Sequence, residues 1–263
     1  MPEPTLELES VGPVAWVWMN RPAVHNALNE DMIDELAETF LELGEDRAVR
    51  VIVLSGRGKS FSAGGDIDYM KRQGAAPRAQ NLASARGLAE MFRIVAICPR
   101  PTIARVNGAA MGGGLGLIAA CDIAIASANA IFAASEVRLG LIASTIAPYV
   151  VRAIGPRQAS RLFLTAERID AGHAQRIGLI HEVAAADQLD AQLQSIIDNL
   201  LAGAPGAQTA AKSMINTVVD RPITREVLEQ TAVAIADRRS DPEAVEGLSA
   251  FLEKRPPDWV PEK

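Results

Sequence analysis

The chain has 263 residues, 49% of them hydrophobic and 22% charged, which is enough apolar material for one large core or a core with an appendage. A net charge of −6 with no compensating basic block excludes an extended nucleic-acid or anionic-membrane surface. The acidic opening MPEPTLELES has no apolar signal-peptide core, and no run approaches about eighteen uninterrupted apolar residues, so neither export nor a membrane span is expected.

Residues 5–19 contain VGPVAWVWM, a turn followed by a β-rich run, and predict an opening hairpin. Asn29 then caps a helix: Glu30 and Asp31 suit the positive end of its dipole, while Met32, Ile33, Leu36 and Phe40 fall on one face. VRVIVLS at residues 49–55 is a continuous apolar run and predicts a buried strand. A polar or helical stretch over 66–96 follows, in which Gly74, Pro77 and Gly87 suggest a mobile section between Lys71 and Ala89. Strand-like PTIARVNG at 101–108 leads into a glycine-rich helix, then into DIAIAS and AIFAASEV, again strand-like. Two rounds of buried strand, glycine turn and helix indicate an α/β architecture with a repeated ββα-like element. From Ser144 onward the pattern is helical, and the Ala-Pro-Gly stretch at 204–207 marks a boundary. We therefore expect a core over residues 1–206 and a helical region over 207–263, whose apolar faces need a core or a partner subunit to cover them.

Several local patterns do not carry the chemistry they superficially suggest. GRGKS at 56–60 lacks the first glycine of a P-loop, since Val53 stands there. The glycine run at 112–116 has Leu117 where a dinucleotide fingerprint needs its last glycine. His25, His173 and His181 have no metal spacing, and Cys98 and Cys121 sit in apolar surroundings as free thiols suited to a reducing cytoplasm. The cations Arg57, Lys59, Lys71 and Arg72 form only a small cluster.

Two segments are not accounted for by folding alone: FSAGGDIDYM at 61–70 and the run GGGLG at 112–116. Both follow a buried strand and offer bare backbone at a bend, the arrangement from which paired N–H groups can converge on a developing oxyanion. Glycines serving only tight strand-to-helix packing would look the same in sequence.

With NRPAVHNALN (20–29), VRVIVLSGRGKSFSAGGDI (49–67), PTIARVNGAAMGGGLGLIAACDIAIAS (101–127) and FAASEVRLGL (132–141) in this order, the chain resembles the enoyl-CoA hydratase/isomerase (crotonase) family over essentially its whole length. That resemblance implies a crotonase-like α/β spiral of ββα units with a C-terminal helical trimerisation region, assembled as a homotrimer or a dimer of trimers. It implies an acyl-CoA thioester substrate, and no metal or redox cofactor, CoA being part of the substrate. The backbone N–H groups that polarise the thioester carbonyl would fall on Gly65 and Gly113. Val24, Ala63, Gly64, Gly65, Asp66, Ile67, Asp68 and Gly113 would contact the acyl-CoA, with Lys254 of a neighbouring subunit reaching the CoA phosphates.

One position departs from the family's pattern. Its hydratases commonly carry two glutamates; here the second is Glu136, but the first is replaced by Gly116. Read alone, Glu136 is a surface residue paired with Arg138; the resemblance makes it the catalytic acid/base. Hydration needs a water activated at Cβ and a proton delivered to Cα, whereas a 3-enoyl to 2-enoyl isomerase needs one base. SEVRLGLI (135–142) followed by APYVVRAIG (147–155) looks like bacterial members that hydrate branched or carboxylated enoyl-CoAs. The leading expectation is a cytoplasmic enoyl-CoA hydratase, with the one-glutamate isomerase and a non-catalytic acyl-CoA-binding protein as alternatives. Asp66 is expected to fix its loop by hydrogen bonding to backbone, and Thr145 and Tyr149 to offer hydroxyls to the pocket.

Overall fold

The computed structural model describes residues 4–261; residues 1–3 and 262–263, the extremes of the acidic opening and of the helical C-terminal region, lie outside the described residues. The chain opens with the expected antiparallel hairpin, β1 (Leu6–Val11) and β2 (Val14–Met19), followed by α1 (Glu30–Glu45). Asn29 caps α1 by accepting a hydrogen bond from Met32 N–H, and Met32, Ile33, Leu36 and Phe40 are all buried. Three strand pairs then follow: β3 (Val51–Gly56) with β4 (Ser60–Ser62), β5 (Thr102–Val106) with β6 (Ala109–Met111), and β7 (Ile123–Ser127) with β8 (Ile131–Ala133). Helices α2 (Ile67–Ala75) and α3 (Arg78–Ile97) leave the first pair, and α4 (Gly113–Ala120) leaves the second. After β8 come α5 (Ala147–Thr165), β9 (Ile169–Asp170), α6 (Ala171–Arg176), β10 (Glu182–Ala184) and α7 (Leu189–Ala202). The chain ends in α8 (Pro205–Val218), α9 (Arg225–Arg239) and α10 (Pro242–Glu253).

Each strand pair contributes one strand to each of two sheets, which turns the repeated ββα unit into a spiral. The larger sheet runs β1-β2-β3-β5-β7-β10, parallel except at the hairpin, and the smaller runs β4-β6-β8-β9. Strand alternation separates two cores: Ile52 and Leu54 of β3 face the main one, while Val51 and Val53 face a second, closed by Leu189, Leu193 and Ile197 of α7.

The stretch from Lys71 to Ala89 is built from the end of α2 and the first half of α3. Pro77 stands just before α3, where it suits a helix start, and Gly74 and Gly87 lie where an added methyl would meet nothing, so they weaken the helices without breaking them. Between β8 and α5, the segment expected to continue as strand instead turns at Glu136–Leu139 into a single 3₁₀ turn.

The C-terminal helices are tied to the rest of the chain by polar contacts. Lys212 of α8 reaches Asp122 at 2.7 Å, and the same carboxylate oxygen accepts from both the N–H and the hydroxyl of Thr102. Arg50 donates to the carbonyls of Gly203 (2.6 Å) and Trp259 (3.0 Å). Removing the ammonium with Lys212→Met leaves a mostly buried carboxylate short of its cation and should lower stability by about 1–3 kcal/mol in urea unfolding at fixed protein concentration.

Candidate active site

A cavity of about 410 Å³ opens where β4, α2, α3, α4 and the turn at Glu136 meet. Of the expected site residues, Ala63, Gly64, Gly65, Ile67, Gly113 and Glu136 line it. Val24 lies outside it, exposed on the turn before α1, and Asp68 is exposed in the first turn of α2. Asp66 is spent on structure, as its sequence context suggested. It caps α2 by accepting from Asp68 N–H (3.0 Å) and Tyr69 N–H (3.1 Å), and pairs with Arg21 at 3.1 Å. Burial alone would raise its carboxyl, but these hydrogen bonds win and hold it below the usual aspartate range. Lys254 is exposed at the C-terminal cap of α10 and does not line the cavity of its own chain.

The glycines allow three backbones to converge. Gly112 has φ +47°, and a Cβ built on it would stand 2.9 Å from Glu136 Oε1, so a side chain there would suit neither the backbone nor the carboxylate above it. On the other wall, a Cβ on Gly64 would come within 2.8 Å of Met111 O and 3.3 Å of Gly113 N. The 62–66 loop and the start of α4 are therefore in contact. Gly65 and Gly113 line the cavity at this junction, and the N–H of neither donates to an acceptor among the described residues. Gly113 N–H is also one of the donors that every α-helix leaves unmatched at its N-terminus, where the helix dipole favours negative charge.

Glu136 sits beside this pair. Its Oε2 is buried and has no hydrogen-bond partner among the described residues, and Arg138 is exposed rather than paired with it. Burial raises its carboxyl above the ordinary glutamate range, offset in part by its own backbone N–H. A carboxyl whose proton affinity is raised is better suited to taking up and returning a proton than an ordinary solvated glutamate.

The remaining wall escaped the sequence reading except for Thr145. It is formed by Leu28 and Met70, by Ala85 and Leu88 of α3, and by the 139–146 segment, whose Leu139 and Ile142 are exposed at the mouth. Tyr149, expected to line the cavity, instead packs on Phe92 with ring centroids 5.9 Å apart. Among the described residues no group of three or more His, Cys, Asp or Glu could hold a metal ion, and both cysteines are buried and free.

The enoyl-CoA hydratase/isomerase family model matches residues 9–262. The chain belongs to this family. The crotonyl-CoA hydratase of Syntrophomonas wolfei is 33% identical, with 96% of each chain covered. The short-chain-enoyl-CoA hydratase of Clostridium acetobutylicum is 35% identical, with 94% of each covered. The crystal structure of an enoyl-CoA hydratase from Shewanella pealeana superposes with a TM-score of 0.94 at 42% identity, covering 97% of this chain and 96% of that one. The two-sheet arrangement is therefore the crotonase fold.

Within that family the vacant first-glutamate position has a physical counterpart. A Cβ on Gly116 would lie 2.3 Å from Ile146 Cγ2 and 2.9 Å from Phe92 Cε1, so the space beside it is already filled by two buried apolar side chains. Gly112 precedes α4 as its N-cap and Gly116 lies in its first turn: Glu136 covers the first and Ile146 the second. Gly116→Ala should destabilise the protein by about 1–3 kcal/mol through overpacking, and the penalties of Gly116→Ala and Ile146→Ala should sum to more than that of the double variant.

A raised carboxyl is a cost to the fold at neutral pH. The contribution of Glu136 is complete below its unfolded value of about 4.3 and is lost as pH rises through the higher folded value. Glu136→Gln should therefore melt higher than the parent at pH 7, and thermal unfolding followed across pH should show that gap closing toward pH 4.

Proposed function

We propose that this family member is an enoyl-CoA hydratase that adds water to a 2-enoyl-CoA with Glu136 as its single acid/base. The observation that carries this is the juxtaposition, in one cavity, of Glu136, whose buried Oε2 has no partner among the described residues, and two backbone N–H groups that also lack an acceptor among them. Gly65 and Gly113 would donate to the thioester oxygen, and a donor of this kind is worth about 3–4 kcal/mol in the transition state. Glu136 would take a proton from water as the water oxygen bonds to Cβ. The double-bond electrons then pass toward the thioester oxygen as an enolate, and the Glu136 carboxyl returns the proton to Cα. One water is added and the carboxylate is regenerated, so a single glutamate suffices if both transfers occur on its own face of the substrate.

Ser135, Ser144 and Thr145, which also line the cavity, favour hydration over isomerisation through their hydroxyls, because a water needs further hydrogen-bond partners and a proton shuttle from Cα to Cγ does not. The isomerase reading is favoured by the apolar filling at Gly116, which leaves no place for a second carboxylate. The relatives named hydratases support the first.

The CoA arm would run along the rim made by Val24 and residues 63–68. In this reading residues 207–263 mediate a trimer, alone or as a dimer of trimers, and Lys254 meets the CoA phosphates of a neighbouring subunit. The exposed Ile215, Leu248, Phe251 and Leu252 support such an assembly by requiring cover. The buried free thiols fit a cytoplasmic enzyme; among the described residues no helix is long and apolar enough to cross a membrane.

Incubation with trans-2-enoyl-CoA should give a product heavier by one water, whereas a 3-enoyl-CoA converted at constant mass would establish the isomerase instead. Glu136→Gln should lower turnover by about 10²–10⁴-fold. In the parent, kcat/KM should rise with pH along a limb centred above the ordinary glutamate value of about 4.3, and that limb should be absent from the residual activity of the variant.

A further inference from the structure

The motif NRPAVHNALN lies almost entirely outside the cavity, yet it is bonded to the loop that carries Gly65. Ala63 N–H donates to His25 O at 2.8 Å. Gly64 N–H donates to Ser62 Oγ at 3.2 Å, and that hydroxyl donates in turn to Asn26 O at 2.8 Å. Asp66 N–H donates to Leu28 O at 2.9 Å, while Gly64 O accepts from Leu28 N–H at 2.7 Å. Of the four N–H groups in residues 63–66, three are thus committed and only that of Gly65 is left over.

Beneath this lattice lies a single cation. Arg21 Nη1 donates both to Ala27 O and to Asp66 Oδ2, so one nitrogen links the backbone before α1 to the residue that follows Gly65. Both side chains are mostly buried, at 23% and 16% exposure, so the pair is poorly screened by solvent. Asn26, fully buried, holds the same segment from the other side. Its Nδ2 donates to the carbonyls of Arg57, Ser60 and Phe61, and its Oδ1 accepts from Arg21 N–H at 2.9 Å. An N–H that must meet a developing oxyanion depends on peptide orientation to within a fraction of an ångström. The peptide of Gly65 has no side chain to fix it, so its direction is inherited from the neighbours on either side.

Building on the oxyanion-hole reading above, the geometry points to Arg21 as a positioning residue that acts through Asp66 to aim the Gly65 N–H at the substrate carbonyl. Arg21 does not line the cavity and touches no reacting atom. Its loss therefore alters the polarisation of the thioester rather than the hold on the CoA arm.

The experiment uses the full chain carrying Glu136→Gln, so that the ligand is not consumed, and 2,4-hexadienoyl-CoA, whose ultraviolet absorption moves to longer wavelength as its carbonyl is polarised. With Arg21→Met added, the ligand should still saturate the protein with a dissociation constant within about threefold, but with a clearly smaller red shift per molecule bound. With Glu136 intact, Arg21→Met should lower kcat by about 10–100-fold at nearly constant KM. Arg21→Lys should recover much of both, because one nitrogen serves both acceptors. Asp66→Asn provides a second route should Arg21→Met fold poorly: an Asn still caps α2 but gives up the ion pair, and it should reproduce the diminished shift. A full red shift in both Arg21→Met and Asp66→Asn would overturn the positioning role. A Glu136→Gln protein that binds the ligand with no shift at all would overturn the oxyanion-hole reading itself, and this inference with it.

Discussion

Two backbone N–H groups that reach a half-buried position without an acceptor are the constraint on which the rest of the structure turns. Leaving such a donor unmatched costs about 1–3 kcal/mol, and a chain free to relax would turn it toward a carbonyl. Here relaxation is limited because the segments that flank each donor are already held by other hydrogen bonds. Around Gly65 the neighbours are bonded to the segment at 25–28; around Gly113 they belong to β6 and the first turn of α4, where Gly112 N–H donates to Ala133 O and Gly116 N–H to Gly112 O. The two sheets matter for the same reason. Strands β4, β6 and β8 lie side by side in the smaller sheet, so the turns that leave them arrive together at one rim.

That convergence explains the composition of the α4 N-terminus. A helix opening with bare backbone is unfavourable by about 0.5–1 kcal/mol per glycine relative to alanine, and neither capping nor propensity recovers it. What recovers it is approach: Glu136 over Gly112, the 62–66 loop beside Gly113, and Ile146 with Phe92 over Gly116. The apolar filling also shapes the electrostatics. With Ile146 in the wall and no cation beside it, the Glu136 carboxyl is desolvated without being neutralised, and that combination raises its proton affinity.

Much of this was legible in the sequence, wherever one residue type answers to one local demand. The opening hairpin, the Asn29 cap, the buried β3 and the capping role of Asp66 each follow from short-range chemistry, and the fold follows from motifs met in order. The helical course of the stretch from Lys71 to Ala89 was harder to read because Gly74 and Gly87 are breakers only in propensity; on an exposed face that weak preference yields to α3 burying Met91, Phe92, Ile94 and Val95. The cavity wall at 139–146 was largely invisible because leucine, isoleucine and alanine carry no chemical signature. The pairing of Gly116 with Ile146 spans thirty positions that share no motif, so only the fold brings it out. Arg21 was visible as part of a motif, but its link to Asp66 crosses forty-five positions and requires the parallel bridge between Leu28 and Gly65.

On the proposed reading, two demands of an acyl-CoA are met by different levels of structure. The reacting end needs a largely apolar wall and a single proton carrier, and one chain supplies both: among the described residues Glu136 is the only carboxylate lining a cavity otherwise made of apolar side chains, backbone, a phenol and three small hydroxyls. The phosphate end needs cations, in a chain of net charge −6 whose Arg57 is engaged by Glu7 and Glu9 and lies over Trp18. Local placement must therefore supply what overall charge does not. Lys254 stands exposed at the end of α10, beside the exposed apolar Phe251 and Leu252. If a second copy covers that face, as proposed, it also receives a cation from it, and assembly would then become part of substrate binding while the acid–base chemistry stays within one chain.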